Sequence, residues 1–375
     1  MNTIIKFRRI QVIRKNLMKS KGRLKIAGSI YVIIPLVLLL LTAGYAEPAS
    51  SEKPFYEGKT VVIIVPFGPG GSTSVYSRLL ARNLPRHIPG RPTIIVKNMP
   101  GAGGGMAFTH VATRAKRDGS ILVFGSSGIL GRWLIHSPGH DYDLRKMTML
   151  SASPAAFVIY ISSEVGASGI KDLLQRGKPL TSGHTSLDSG IAHTDRNASK
   201  LLGLDVKQIP GYSGYGEARL ALLRGEVNMT GIAAAGYASE IEPMVKRGEV
   251  VPLYQGGLIG EAGDLIRDPR MPDIPTVAEV YREIYHKAPQ GKAFESLKAR
   301  AAVATVGISG WLPPGVPQER IDELLAAFKP MAKSPAYIKE STKVLGARDL
   351  IMVGKEAHAA FRLLAETPQV ADQLK

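Results

Sequence analysis

The chain has 375 residues, a formal net charge of +17, 45% hydrophobic residues and no cysteine. The lack of cysteine excludes a disulfide framework, thiol catalysis, cysteine-held zinc and a lipid anchor on cysteine, so the fold must rest on an apolar core. Nine Lys or Arg and no acid lie in residues 1–46, and their removal brings the charge from +17 to +8. That value suits attraction to small anions, and no dense Lys/Arg run interleaved with aromatics argues for nucleic acid.

The basic start leads into an almost wholly apolar run, Ile26–Leu41, and then into Gly44-Tyr45-Ala46, with small side chains three and one positions before Glu47. This is the layout of a cleaved signal peptide over residues 1–46 and hence of export. The apolar run is shorter than the ~20 residues of a membrane span, and an uncleaved anchor is the competing reading. Initiation at Met18 would give a segment of more ordinary length.

Residues 47–58 read as a polar leader. From Thr60 onward, short β-branched runs alternate with helical stretches. Strands are predicted at Val61–Val65, Ile94–Val96, Ile121–Phe124, Phe157–Ile161, Val206–Ile209, Val227–Thr230, Val250–Tyr254 and Val303–Gly307. Helices are predicted at Ser74–Leu84, Met106–Arg114, Ile170–Arg176, Ile191–Leu202, Glu217–Arg224 and Ala238–Arg247. The chain ends in predicted helices at Glu319–Phe328, Ala336–Leu345 and Lys355–Ala365, with Pro317 and Pro330 bounding the first. Alternation of this kind implies α/β architecture with mostly parallel sheets, and a mature chain of this size fits two domains. Met149–Tyr160, interrupted by Pro154, and Thr305–Pro314 read as extended segments crossing between them.

The most informative stretch runs from Val61 to Leu80. An apolar strand ends at Pro66 and opens into Phe67-Gly68-Pro69-Gly70-Gly71, then Ser72-Thr73-Ser74, which can cap a helix. The first turn of such a helix presents free N–H groups and a partial positive charge, a setting for a carboxylate or phosphate. A dinucleotide fingerprint fails at Thr73, where a third glycine is needed, and a P-loop fails for want of a lysine. A plain connecting turn is the bland alternative. Catalytic and metal signatures are weak. Gly211-Tyr-Ser213-Gly214-Tyr215 breaks the nucleophile elbow at its last glycine, and His136-Ser-Pro-Gly-His140-Asp141 reads as a solvated turn.

Further motifs follow in order: Asn98-Met-Pro-Gly-Ala-Gly-Gly-Gly105, Arg117-Asp-Gly-Ser-Ile-Leu122, Pro272-Asp-Ile-Pro-Thr-Val-Ala-Glu279 and Leu312-Pro-Pro-Gly-Val-Pro317. Singly each is weak. As an ordered set from about Lys59 into the C-terminal helices, they resemble the substrate-binding proteins of tripartite tricarboxylate transporters, the Bug family. The resemblance implies a two-domain, periplasmic binding protein-like (type II) α/β fold with a ligand cleft between the domains. It implies a discontinuous first domain, residues 59–155 plus 301–375, and a second domain, 156–300. It further implies a small carboxylate ligand, integral-membrane transporter subunits as partners, a periplasmic monomer, and neither catalytic residues, metal nor cofactor. A sensor of the same fold, or an exported NAD-linked or hydrolytic enzyme, are the alternatives.

The ligand-binding residues expected on these grounds are Phe67, Gly70, Gly71, Ser72, Thr73 and Ser74 in the capture loop, and Ser126 and Ser127 in the turn after the third strand. In the second domain they are Gly183, His184, Thr185, Ser186 and Asp188, together with Tyr212. Gly70 and Gly71 let backbone approach the ligand, the hydroxyls and N–H groups hold it, and Tyr212 offers a face or a hydroxyl. His184 either brings charge to the ligand or caps a turn. Ser74 stands where the family carries Asp, so the loop has one negative charge fewer and should favour a more anionic ligand.

Overall fold

The structure is a computed structural model that describes residues 53–375 apart from residue 261. The expected signal segment lies outside the described residues. Two mixed sheets carry the fold, beside a short antiparallel pair of β10 (Leu258–Ile259) and β11 (Leu265–Ile266). The first holds β1 (Thr60–Val65), β2 (Thr93–Asn98), β3 (Ile121–Ser126), β4 (Thr148–Ser153), β12 (Ile308–Leu312) and β13 (Met352–Val353), in the order β13-β4-β12-β3-β1-β2. The second holds β5 (Phe157–Ser162), β6 (Leu180–His184), β7 (Val206–Pro210), β8 (Met229–Ala233) and β9 (Val250–Gln255), in the order β7-β6-β8-β5-β9. β1 lies parallel to β2 and β3, and β6 parallel to β7 and β8. The returning strands β12 and β5 run antiparallel to their neighbours.

The central parallel strands β1 and β3 are apolar on both faces because helices cover both. Val61, Ile63 and Val65 of β1 face one core with Tyr76, Leu79 and Leu80 of the helix Ser72–Asn83, while Ile64 faces a second core with Phe108, Val123 and Trp311. The second sheet is likewise sandwiched: Phe157, Ile159 and Ile161 lie in one cluster and Val158 and Tyr160 in another.

Two family motifs have local physical causes. Thr276 and Glu279 form a reciprocal capping box that starts the helix Val277–Tyr285. Asp118 accepts from the Ser120 N–H at 2.9 Å across Gly119, which has φ of +83°.

Four expectations need correction. The two mixed sheets are not mostly parallel: among the described residues four of their strand pairs are parallel and five antiparallel, because the returning strands β4, β5, β12 and β13 pair antiparallel. Val303–Gly307 is not a strand. Val303 and Ala304 end the helix Lys292–Ala304, and the strand begins at Ile308. The alanine-rich run Ala299–Ala304 has strong helix propensity, which outweighs the β-branched valine. Pro330 does not end its helix, which runs Gln318–Lys333. Its ring is exposed while Phe328 and Met331 on either side are fully buried, and that packing offsets the ~3 kcal/mol a proline costs inside a helix. The hydroxyls of Ser72, Thr73 and Ser74 do not cap: the N-cap is Gly71, without a side-chain cap bond.

Of the two expected crossings, Met149–Tyr160 passes from one sheet to the other, while the strand in Thr305–Pro314 lies wholly in the first sheet. β4 leads through Pro154-Ala155-Ala156 into β5, and the helix Lys292–Ala304, packed on the second sheet's cluster through Leu297 and Ala301, leads into β12. The Ala155 N–H donates to the Ala304 carbonyl at 2.9 Å, joining the two segments.

Candidate functional site

A cleft with about 530 Å3 of empty space, part of it open solvent, lies beyond the carboxyl ends of β1, β3, β6 and β8, the place where α/β sheets hold ligands. Gly71, Ser126 and Ser189 all line it, and each is the N-cap of a helix: Ser72–Asn83, Ser127–Leu134 and Gly190–Leu202 respectively. Three helix starts therefore present first-turn N–H groups and partial positive charge to one space. Hydroxyls of Ser72, Thr73, Ser74, Thr185 and Tyr215 add to the wall, and Phe67, Phe157, Ile191 and Ala233 supply an apolar face. Among the described residues, no acid lines the cavity, and Arg132 is its one charged lining residue.

The capture loop is held by a small polar network. Asn98 donates from Nδ2 to the Phe67 carbonyl at 2.7 Å and to Ser74 Oγ at 2.8 Å, while Ser74 Oγ donates to the Gly68 carbonyl at 3.4 Å. Ser74 is thus buried and oriented by Asn98, the first residue of the second motif. The glycine requirement falls on Gly70, with φ of +77°, and not on Gly71, whose φ of −102° any residue adopts. Gly70 presents its carbonyl to Arg219 Nη1 at 3.3 Å, and Arg219 is itself paired with Glu240 at 2.7 Å.

The expected site residues fall into three groups. Phe67, Gly71, Ser72, Thr73, Ser74, Ser126 and Thr185 line the cavity. Ser186 and Tyr212 line an adjoining outer recess, which shares Phe67, Gly103, Arg132 and Thr185 with the inner cavity. Gly70, Ser127, Gly183, His184 and Asp188 stand behind these walls. Ser127 is buried, with its carbonyl accepting from Arg300 Nη2 at 2.9 Å. Gly183 backs the Tyr212 ring, since a Cβ there would come within 3.0 Å of it.

His184 is fully buried. Its Nε2 lies 2.9 Å from Asp195 Oδ2 and its Nδ1 3.4 Å from the Tyr215 hydroxyl, which in turn lies 2.8 Å from Ser189 Oγ. The imidazole therefore orients two cavity hydroxyls through Tyr215 and has no face on the cavity itself. Asp188 reaches across to Arg132, Oδ1 to Nη1 at 2.6 Å.

Arg132, Ser189 and Tyr215 were missed by sequence reasoning. Arg132 had a signal: it is the one charge in the apolar run Ile129-Leu-Gly-Arg-Trp-Leu-Ile135. Burial pulls its pKa below the ordinary arginine value, opposed by the Asp188 carboxylate. Among the described residues, no group of three His, Cys, Asp or Glu is placed to hold a metal ion.

Comparison with known proteins agrees with this architecture. The model of the tripartite tricarboxylate transporter family receptor matches residues 77–371. Protein BugT of Bordetella pertussis is 28% identical over 253 residues, covering 65% of this chain and 72% of BugT. The structure of the periplasmic binding protein BugD superposes with a TM-score of 0.65 at 22% identity, over 85% of this chain and 96% of that one. MatC of Rhodopseudomonas palustris, solved with bound malate, gives a TM-score of 0.61 at 22% identity, over 84% and 99% of the two chains. The fold is the mixed α/β, two-sheet fold of periplasmic binding proteins.

Proposed function

The chain belongs to the tripartite tricarboxylate transporter receptor family, and from that premise we propose that it is an exported, periplasmic solute-binding protein that captures a small carboxylate and presents it to integral-membrane transporter subunits. The observation that carries this is the composition of the cavity wall: three helix starts, seven hydroxyl-bearing residues, one arginine and, among the described residues, no acid. Such a wall favours an anion and disfavours a cation. The malate in MatC is an anion of this kind.

The binding unit would comprise residues 59–155 plus 301–375 as one domain and 156–300 as the other, moving about the joined segments at Ala155 and Ala304. The ligand sits between them and favours the closed arrangement, which the membrane partner recognises. No bond of the ligand is made or broken, no cofactor takes part, and a monomer suffices because both walls come from one chain. Export rests on the basic and apolar start of the sequence. Among the described residues no helix is long and apolar enough to cross a membrane.

The test is a thermal-shift and calorimetric screen of mono-, di- and tricarboxylates, aromatic acids and amino acids. An acid at 100 times its dissociation constant should raise stability by about 2.7 kcal/mol, and it should be recovered unchanged. Stabilisation by amines or neutral sugars alone, or turnover of the bound acid, would overturn the reading.

A further inference from the structure

Arg132 occupies an unusual place. Its side chain is 6% exposed, it lines both the inner cavity and the outer recess, and it comes from the helix that follows β3. Its Nη1 makes both of its cross-cavity contacts, to Ser186 Oγ at 2.6 Å and Asp188 Oδ1 at 2.6 Å, in the loop that follows β6. Its Nε is buried without a hydrogen-bond partner. Gly103, with φ of +59°, makes room for the head group, because a Cβ there would come within 1.8 Å of Nη1. A guanidinium carries five donors in a fixed plane, and a buried donor left unpaired costs about 1–3 kcal/mol. Here one nitrogen is tied to the opposite wall while the Nε side of the fork has nothing to bind. Among the described residues no acid lines the cavity, so the wall offers this nitrogen no carboxylate.

We propose that Arg132 is a specificity-determining residue of this site. The guanidinium nitrogens that Ser186 and Asp188 do not hold take a ligand carboxylate, while Nη1 remains tied to Ser186 and Asp188. One planar group then joins the ligand to both walls, so that ligand charge and closure are coupled. Asp188 has the opposite effect on affinity. Its carboxylate repels the incoming one and offsets part of the arginine's field, so the bridge holds the walls together at some loss of attraction for the ligand. The inference rests on the carboxylate-capture reading and assigns the residue that discriminates charge within it.

The experiment uses the intact protein with succinate, glutarate and adipate, each compared with its own monoamide by calorimetry, in wild type, Arg132→Lys and Asp188→Asn. Lysine keeps the charge and loses the planar fork. It should lower the acid-to-monoamide affinity ratio about tenfold, the loss of one charge-assisted bond, and leave monoamide affinity nearly unchanged. Asp188→Asn should raise the same ratio several-fold, and it decides the matter if the lysine variant fails to fold. A purely structural bridge would instead change thermal stability in both variants with the ratio unmoved, and that result overturns the assignment. Failure of every acid and monoamide to bind wild type would overturn the capture reading along with it. Binding of acids whose ratio ignores both substitutions overturns the role of Arg132 alone.

Discussion

The Ser74 hydroxyl lines the cavity, accepts from Asn98 and is almost fully buried, so the charge of this one side chain should be felt by any bound anion. Ser74→Asp is predicted to keep the fold, because a carboxylate also accepts from Asn98. It should weaken a carboxylate ligand sharply, since like charges ~4 Å apart at an effective dielectric of ~20 cost about 4 kcal/mol before salt and rearrangement reduce this. Ser74→Asn serves as the neutral control, and calorimetry showing equal affinities for the two variants would remove Ser74 from the ligand's surroundings. Gly71→Val tests the same loop sterically. Its extended φ and the absence of any atom within 4 Å of a built Cβ mean the fold should lose only about 1 kcal/mol as an N-cap change. The branched side chain nonetheless stands at the cavity wall, so binding should fall at least tenfold; retained affinity would make the loop a connector. The glycine and hydroxyl loop was legible in the sequence because its spacing is local. Arg132 was not, since its meaning depends on Asp188 and Gly103, which are brought to it only by tertiary folding.

Among the elements, the helix starts at Ser127 and Gly190 meet backbone to backbone. A Cβ on Gly128 would lie 3.1 Å from the Gly190 nitrogen, and a Cβ on Gly190 would lie 2.7 Å from the Phe157 ring. Only glycine at both positions lets these two N-termini share one cavity. Gly128→Val is therefore expected to force the walls apart: small-angle scattering should show a larger radius of gyration, with ligand affinity down at least tenfold and secondary structure unchanged. An unaltered radius together with unaltered binding would show that the approach is incidental. The helix Gly190–Leu202 also carries His193, whose Nε2 lies 3.1 Å from Ser296 Oγ on the helix Lys292–Ala304. Burial, with Arg300 and Arg196 adding to it, pushes its pKa down to about 3 from 6.5. The folded state then binds fewer protons than the unfolded state between those two values. Stability should be unaffected by this group above pH ~6.5 and should fall as the pH drops below it, by at most ~1.4 kcal/mol per unit. Urea unfolding from pH 7 to 4.5 should show a shallower decline in His193→Gln than in wild type, and parallel curves would place the acid sensitivity elsewhere. Strong periodicity made most of these helices legible. The helix Val277–Tyr285 has an apolar stripe of Val277, Val280, Tyr281 and Ile284 that was overlooked, and Lys292–Ala304 was not legible because apolar residues lie on more than one of its faces.

At the scale of the whole molecule, Pro154 and the return at Thr305–Pro314 marked the crossings in the sequence, but what locks them was hidden in a distant loop. Asp268 and Arg270 are fully or almost fully buried and paired at 2.7 Å. Asp268 Oδ2 accepts the Ala156 N–H at 3.1 Å, and Arg270 donates to the Pro154 carbonyl. The pair thus satisfies the backbone of the first crossing on both sides of Ala155, the residue bonded to Ala304 of the second. A buried ion pair of this kind adds little net stability over an apolar substitute, because desolvation offsets the attraction, but removing one partner strands the other's charge. Asp268→Asn keeps an acceptor for Ala156 but removes the charge and turns the oxygen that accepts from the Arg270 N–H and Nε into a donor, so its cost is that of the stranded arginine together with those lost bonds. The expected loss is about 3–5 kcal/mol by urea unfolding. Adding Arg270→Met to the same chain should recover part of it, since no unpaired charge then remains buried. Affinity for a bound carboxylate should drop in the single variant too, because the crossing segments set how the two walls of the cavity face each other. A loss below ~1 kcal/mol in the single variant, with no recovery in the double, would show that the crossings are held by their own backbone bonds and that the ion pair merely accompanies them.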